Sequence, residues 1–218
     1  MIGEYIEHTL LKPEASAEAI IKLCREAQEY GFFGVCVNPC HVSLAKQLLK
    51  GSKVKVVTVI GFPLGCEATA TKAFSAAQAI ASGADELDMV IQVGALKDKA
   101  DAYVLEDIKQ VVRAAEKAPV KVIIETCLLT EEEKIRACQL IARGGAAFVK
   151  TSTGFSKGGA TVEDVLLLAA EAGKMGLRVK AAGGIRNYET AQAMLAAGAA
   201  RLGCSAGVQL VAEEAKRR

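Results

Sequence analysis

Four ionisable side chains stand in segments that otherwise read as buried strands. Lys150 follows the apolar run AAFV, Lys180 sits in RVKAA, Asp88 in DELDMVI and Glu125 in KVIIET. Burying an ammonium without a partner is costly. Two lysines held close together cannot both keep a proton comfortably. Repulsion and desolvation depress one of them, and a neutral amine is a nucleophile. A neighbouring carboxylate such as Asp88 can hold the other lysine charged and shuttle protons. One inward lysine alone is more often half of a structural ion pair. Two lysines and an aspartate on three strands, all near the same strand end, favour catalysis instead.

Whether these groups meet depends on the elements that carry them. Short β-branched runs alternate with longer runs of helical spacing. Strands are expected at 6–11, 33–38, 54–60, 85–91, 120–126, 146–151, 178–182 and 200–204. Helices are expected at 16–30, 40–50, 68–82, 98–117, 130–143, 161–175, 187–197 and 206–216. Thr130 with Glu133, Thr161 with Asp164, and Asn187 read as helix N-caps. Gly31, Gly83, Gly144 and Gly198 fall where a left-handed residue ends a helix. A Gly-Ala pair precedes a strand at Gly83, Gly145 and Gly198, a weak internal repeat.

Eight such units in 218 residues predict a single-domain (β/α)8 TIM barrel over 1–218. An open doubly wound sheet would carry a glycine-rich dinucleotide turn after its first strand, and none is present. In a barrel, strand side chains alternate between the interior and the helix layer. The apolar sets Leu87/Met89/Ile91, Val122/Ile124, Val149/Thr151 and Val179/Ala181 belong against helices. That turns Asp88, Glu125, Lys150 and Lys180 inward at the C-terminal mouth. The same alternation puts Glu86, Lys121 and Arg178 lower, as a structural ion cluster at the barrel floor.

A second feature suits a phosphate. KAAGGIRN places Gly183 and Gly184 between strand and helix, and RLGCSAG places Gly203 and Ser205 at the next helix start. Loops after the seventh and eighth strands of barrels often bind phosphate through backbone amides and a helix N-terminus. Thr153, Gly154 and the loop SKGG can close the same pocket. CVNPCH fits no common zinc spacing, so no metal is expected and Cys36 reads as a buried thiol near the mouth. The two histidines include His8, in the first strand, which receives no role.

Bulk properties narrow the partners. With 27 basic and 25 acidic residues, 5% aromatic and no Trp, the chain offers neither field nor stacking platform for nucleic acid or an anionic membrane. The N-terminus lacks the pattern of a signal peptide, and no apolar run is long enough to span a bilayer. Seven cysteines at irregular spacing argue against a disulfide framework and for a cytoplasmic protein.

The segments IEHTLLKP, GVCVNP, VIGFPLG, ELDMVI, FVKTSTGF, VKAAGGIR and LGCSAG together resemble the deoxyribose-phosphate aldolases, in that family's order and across nearly the whole chain. The resemblance implies a class I aldolase that reversibly cleaves 2-deoxy-D-ribose 5-phosphate to glyceraldehyde 3-phosphate and acetaldehyde without metal or cofactor. By position, Lys150 matches the Schiff-base lysine, Lys180 the second lysine and Asp88 the acid/base aspartate. Alternation alone does not choose between the two lysines. Gly183, Gly184, Gly203 and Ser205 match phosphate-binding positions, and Thr153 lines that end. Relatives are often dimers or tetramers. Two positions depart from the pattern: Glu7, where many relatives have Asp, and Ala206, where some have a second serine. Another phosphosugar barrel, such as an isomerase, would not need the lysine pair. A silent phosphosugar-binding regulator would lack Lys150 or Asp88.

Overall fold

The computed structural model describes residues 1–217. Among them, eight parallel strands close into a barrel in sequence order. They are β1 Ile6–Leu10, β2 Gly34–Val37, β3 Lys55–Ile60, β4 Glu86–Val90, β5 Val120–Ile123, β6 Phe148–Lys150, β7 Arg178–Ala182 and β8 Arg201–Cys204. The helices are α1 Ala17–Glu29, α2 Val42–Leu48, α3 Thr69–Ala81, α4 Val93–Lys97, α5 Asp101–Ala114, α6 Glu131–Gly144, α7 Val162–Gly173, α8 Tyr188–Ala196 and α9 Gly207–Ala215. This is the (β/α)8 architecture expected from the alternating pattern. No described helix is long and apolar enough to cross a membrane.

Period-two alternation builds two layers. Leu87, Met89, Val122, Val149, Val179, Ala181 and Leu202 join the main core between barrel and helices. Inside the barrel, Leu11, Cys36, Val57 and Val59 make a small apolar cluster on the β1–β3 side. The rest of the interior is largely ionic. Register brings the charges together: Lys150 lies opposite Lys180, and Asp88 opposite Lys121. Adjacent strands are about 4.8 Å apart, so inward side chains at paired positions must touch.

Local signals act as expected at the helix starts. Thr130 and Glu133 form a reciprocal capping box, and Thr161 and Asn187 accept amides from Asp164 and Thr190. Three of the differences from the expected boundaries have a clear local cause. The helix expected at 98–117 is shortened to α5, and an unexpected short helix, α4, precedes it, with Gln92 capping α4 and Lys99 left-handed at φ 57 between the two. Gly144 remains inside α6, where a Cβ would lie 2.4 Å from Ile108, and Gly145 takes the left-handed position at φ 81. Strand β5 stops at Ile123 instead of 126, because Glu125 turns left-handed (φ 54, ψ 67) into a 3-10 turn at Thr126–Leu128.

One buried pair outside the barrel lies where helical periodicity gave no warning. Lys72 on α3 bonds Asp107 on α5 at 2.6 Å and the Val90 carbonyl at the end of β4 at 3.1 Å. Thr69 also donates to Asp107, at 2.9 Å. A side chain at Gly61 (φ +64) would strike the Lys72 stem at 2.9 Å. Asp107→Ala strands a buried ammonium and is expected to cost about 3–5 kcal/mol in a denaturant melt. The double variant Lys72→Met/Asp107→Leu is expected to recover most of that, since it leaves no unpaired charge. Equal losses in the single and double variants would refute the pairing.

Candidate active site

Strands β1, β4, β5, β6, β7 and β8 each contribute at least one ion to one buried network. Asp88 is its centre. Oδ2 of Asp88 accepts from Lys150 Nζ at 2.7 Å and from Lys180 Nζ at 2.6 Å, and Oδ1 accepts from Lys121 Nζ at 3.0 Å. Lys180 also donates to Glu7 Oε2. Lys121 lies 2.6 Å from Glu86 Oε2 and 3.4 Å from Glu7 Oε1, which stands 3.7 Å from Arg201. The mouth and floor groups therefore form a single network.

The two inward lysines have different surroundings. Lys180 is fully buried between two carboxylates, Asp88 and Glu7. Lys150 is 3% exposed and shares only Asp88, through the oxygen that Lys180 also uses. Burial, together with the neighbouring Lys180, holds the Lys150 amine below the usual lysine range despite Asp88. Burial alone would lower Lys180 too, but Asp88 and Glu7 outweigh it and raise its proton affinity. Asp88 is desolvated, yet Lys121, Lys150 and Lys180 bring it well below the ordinary carboxylate range. Glu7 is lowered in the same way, against its burial, by Lys121 and Lys180. Cys36 is a buried thiol that desolvation pushes up to about 11, so it stays uncharged.

A pocket of about 350 Å³ opens at the C-terminal ends of the strands. Lys150, Thr153, Gly183, Gly184, Gly203 and Ser205 line it, and Asp88 and Lys180 lie beneath. Gly183 and Gly184 take φ 87 and 80, a backbone that side chains rarely adopt. Gly203 leaves room for Lys180: a Cβ there would sit 3.0 Å from Lys180 Cε. The loop from Gly154 to Ala160 packs onto this turn, with the Ala160 amide donating to the Gly183 carbonyl at 3.0 Å. Lys12 and Arg186 also line the pocket, adding positive charge near the glycine turns. Both stand in quoted motifs, LLKP and GGIR, yet nothing in their spacing marked them as site residues.

Several expectations need correction. Glu125 is buried but is not among the partners of the lysines. Because β5 ends before it, strand alternation does not govern its side chain. It accepts instead from the amide of Thr153 at 3.3 Å and from the Thr153 hydroxyl. That hydroxyl in turn accepts from the Phe155 amide at 3.1 Å. Arg178 is exposed and stacks 4.1 Å over the Phe148 ring, leaving Arg201 to serve the ion network. His8 faces the helix layer, bonding Glu26 at 2.8 Å and packing on Phe32. The neighbouring Glu7 is the residue that enters the network. Among the described residues, no group of three or more His, Cys, Asp or Glu side chains is placed to hold a metal ion.

Comparison with known proteins identifies the family. Residues 6–210 match the model of the DeoC/LacD family aldolases. A deoxyribose-phosphate aldolase of Thermococcus gammatolerans is 60% identical over 215 residues, covering 96% of this chain and 95% of its own. One from Clostridium perfringens is 58% identical over 210 residues, covering 96% and 93%. The solved tetrameric deoxyribose phosphate aldolase of Aeropyrum pernix superposes with a TM-score of 0.93 at 33% identity, covering 100% of this chain and 92% of its own. With its barrel and its family match extending over most of the sequence, the chain belongs to the DeoC/LacD family of aldolases.

Proposed function

We propose that the chain reversibly cleaves 2-deoxy-D-ribose 5-phosphate to D-glyceraldehyde 3-phosphate and acetaldehyde through an imine on Lys150. The observation that carries this reading is the asymmetry of the lysines. Lys150 reaches the pocket and has one shared carboxylate, whereas Lys180 lies below with two.

Neutral Lys150 attacks C1 of the open-chain sugar, and loss of water gives the iminium. Removing the proton of the C3 hydroxyl lets the C2–C3 bond break. C3 becomes the aldehyde of glyceraldehyde 3-phosphate, and the bonding pair passes into the iminium to give an enamine. Protonation at C2 and hydrolysis release acetaldehyde and restore the amine. Asp88 and Lys180 are the proton carriers in this scheme, the carboxylate as base and the ammonium as acid. The phosphate end is assigned to Gly183, Gly184, Gly203 and Ser205, with Lys12 and Arg186 supplying charge. Holding the phosphate there fixes the distance to Lys150, so remote binding orients the reacting carbons.

Thr153 is assigned to this end as a strut. Its hydroxyl proton goes to Glu125, which fixes the loop that follows Lys150. Glu125→Gln leaves one acceptor oxygen for two Thr153 donors and turns the other into an amide donor, and losing such a bond to a carboxylate costs about 1.5–3 kcal/mol. The expected result is a kcat/KM lower by roughly ten- to a hundredfold, mostly through KM. Steady-state kinetics of Glu125→Gln and Thr153→Val check it; a loss confined to kcat would remove the strut role.

We further infer a homo-oligomer, dimer or tetramer, supported by the tetrameric Aeropyrum pernix relative. Free cysteines that include exposed Cys40 and Cys66 support a reducing, cytoplasmic setting, and a role in deoxyribose breakdown fits the reaction. A coupled assay for glyceraldehyde 3-phosphate tests the central reading. It should register one triose phosphate per acetaldehyde formed from 2-deoxy-D-ribose 5-phosphate. No product at saturating substrate would overturn it.

A further inference from the structure

The ion network extends well below the pocket, to groups that the reaction itself does not touch. Glu86 opens β4 and Arg201 opens β8, at the end of the barrel opposite the pocket, and neither lines the pocket. Both are nearly buried. Arg201 lies 3.1 Å over the Phe33 ring and 5.7 Å from that of Phe148, so its surroundings are apolar. Glu86 Oε2, Glu7 Oε1 and the Nη1 of Arg201 make no hydrogen bond. Their hold on the network is therefore electrostatic, through Lys121 at 2.6 Å from Glu86 and Glu7 at 3.7 Å from Arg201.

The formal charges give this arrangement a consequence. Glu7, Glu86 and Asp88 are three anions; Lys121, Lys180 and Arg201 are three cations. The seventh group is Lys150. A buried cluster is balanced when Lys150 carries no proton and carries one excess positive charge when it does. We propose that Glu86 and Arg201 are positioning residues that set this balance from the barrel floor and so keep Lys150 an uncharged amine. The proposal rests on the reading of Lys150 as the nucleophile.

The other groups around Lys150 leave the count intact. Cys36 on β2 is a neutral thiol. Glu125, beyond β5, bonds Thr153 and makes no ion pair with the network; it is the same in every variant below, so it does not alter the sign of either change. Arg178 is exposed, and water screens its charge. Five of the individual shifts run with the count: Glu7 and Asp88 are lowered, Lys121 and Lys180 raised, and Lys150 lowered. Arg201 runs the other way, lowered chiefly by its own burial, yet a guanidinium keeps its proton in proteins and still counts as a cation.

Removing a floor charge must then act on Lys150 with a sign set by the charge removed. Arg201→Met leaves one excess negative charge, and the amine is the strongest base available to take a proton. The acid limb of the pH–rate profile should move up by about one pH unit. Glu86→Gln leaves one excess positive charge, and the limb should move down by a similar amount. The double variant should return it toward the wild-type position. A purely structural role would lower activity in both single variants without opposite shifts, and would not give restoration in the double.

The experiment measures, from pH 5 to 9, the initial rate of turnover of 2-deoxy-D-ribose 5-phosphate, and cyanoborohydride, which survives over this range, traps the imine so that the label can be mapped by peptide mass. Label on Lys150 in the wild type, opposite shifts and cancellation support the proposal. Label on Lys150 with unmoved limbs, or limbs moving the same way, overturns it while leaving the nucleophile in place. No label on wild-type Lys150 instead overturns the underlying reading, and the proposal falls with it. Should Arg201→Met fail to fold, Glu86→Gln alone decides: a downward shift supports, and an unmoved or upward limb refutes.

Discussion

Lys150→Leu should lose roughly 10⁴- to 10⁶-fold in kcat, the scale on which removing a covalent nucleophile acts. Neither of the two buried lysines beside it can take its place. Lys180 is held beneath the pocket between Asp88 and Glu7, and Lys121 lies among Asp88, Glu7 and Glu86. The fold should survive. Asp88 keeps Lys121 and Lys180 as partners, and leucine fills a site whose native occupant is uncharged in the proposed mechanism. Circular dichroism and a melt near the wild-type midpoint would accompany the loss of turnover. A Lys150→Leu enzyme retaining even a tenth of wild-type kcat would refute the assignment.

The second large effect belongs to Asp88. Asp88→Asn removes the one carboxylate that touches three lysines and leaves two carboxylates against three buried cations. Breaking a buried ion pair from one side typically costs about 3–5 kcal/mol. Activity should fall by about 10²- to 10⁴-fold as well, the range for loss of a general acid/base group. The pH dependence carries a definite sign. Asp88 has a folded-state pKa well below its ordinary value, so its stabilisation is present above the unfolded pKa and fades as pH falls through the folded one. The stability gap between wild type and Asp88→Asn should hold from neutral pH downward and begin to close only below about pH 4. Urea melts at pH 7, 5 and 3 measure this. A gap that closes between pH 7 and 5 would contradict the ion network.

The barrel and the positions of the two lysines and Asp88 were legible because strand alternation is strict while a strand lasts. DELDMVI, FVKTS and RVKAA each show one apolar face and one ionisable face, and each lies in strand where its charge occurs. The same rule misled at Glu125, which alternation turns inward although the strand has ended two residues earlier. Nothing in KVIIET announces a left-handed glutamate, and its side-chain partner, Thr153, is 28 positions away. Glu7 and Arg201 were obscured for a different reason. Both lie on short strands where a lone charge reads as an edge or solvent residue, and only closure of β1 against β8 buries them. Alternation did not choose between Lys150 and Lys180; the resemblance did, and the distribution of carboxylates now supports that proposal. That distribution is a property of partners on other strands, and each lysine's own segment is silent about it. Lys72 shows the same limit on a helix: its buried partner, Asp107, is 35 residues away.

The most direct test of the central claim is reduction with sodium borohydride in the presence of 2-deoxy-D-ribose 5-phosphate, followed by peptide mass mapping. The enzyme should be inactivated irreversibly, with one substrate-derived adduct per chain on the peptide containing Lys150. An adduct on Lys180 alone, or inactivation with no adduct at all, would contradict it.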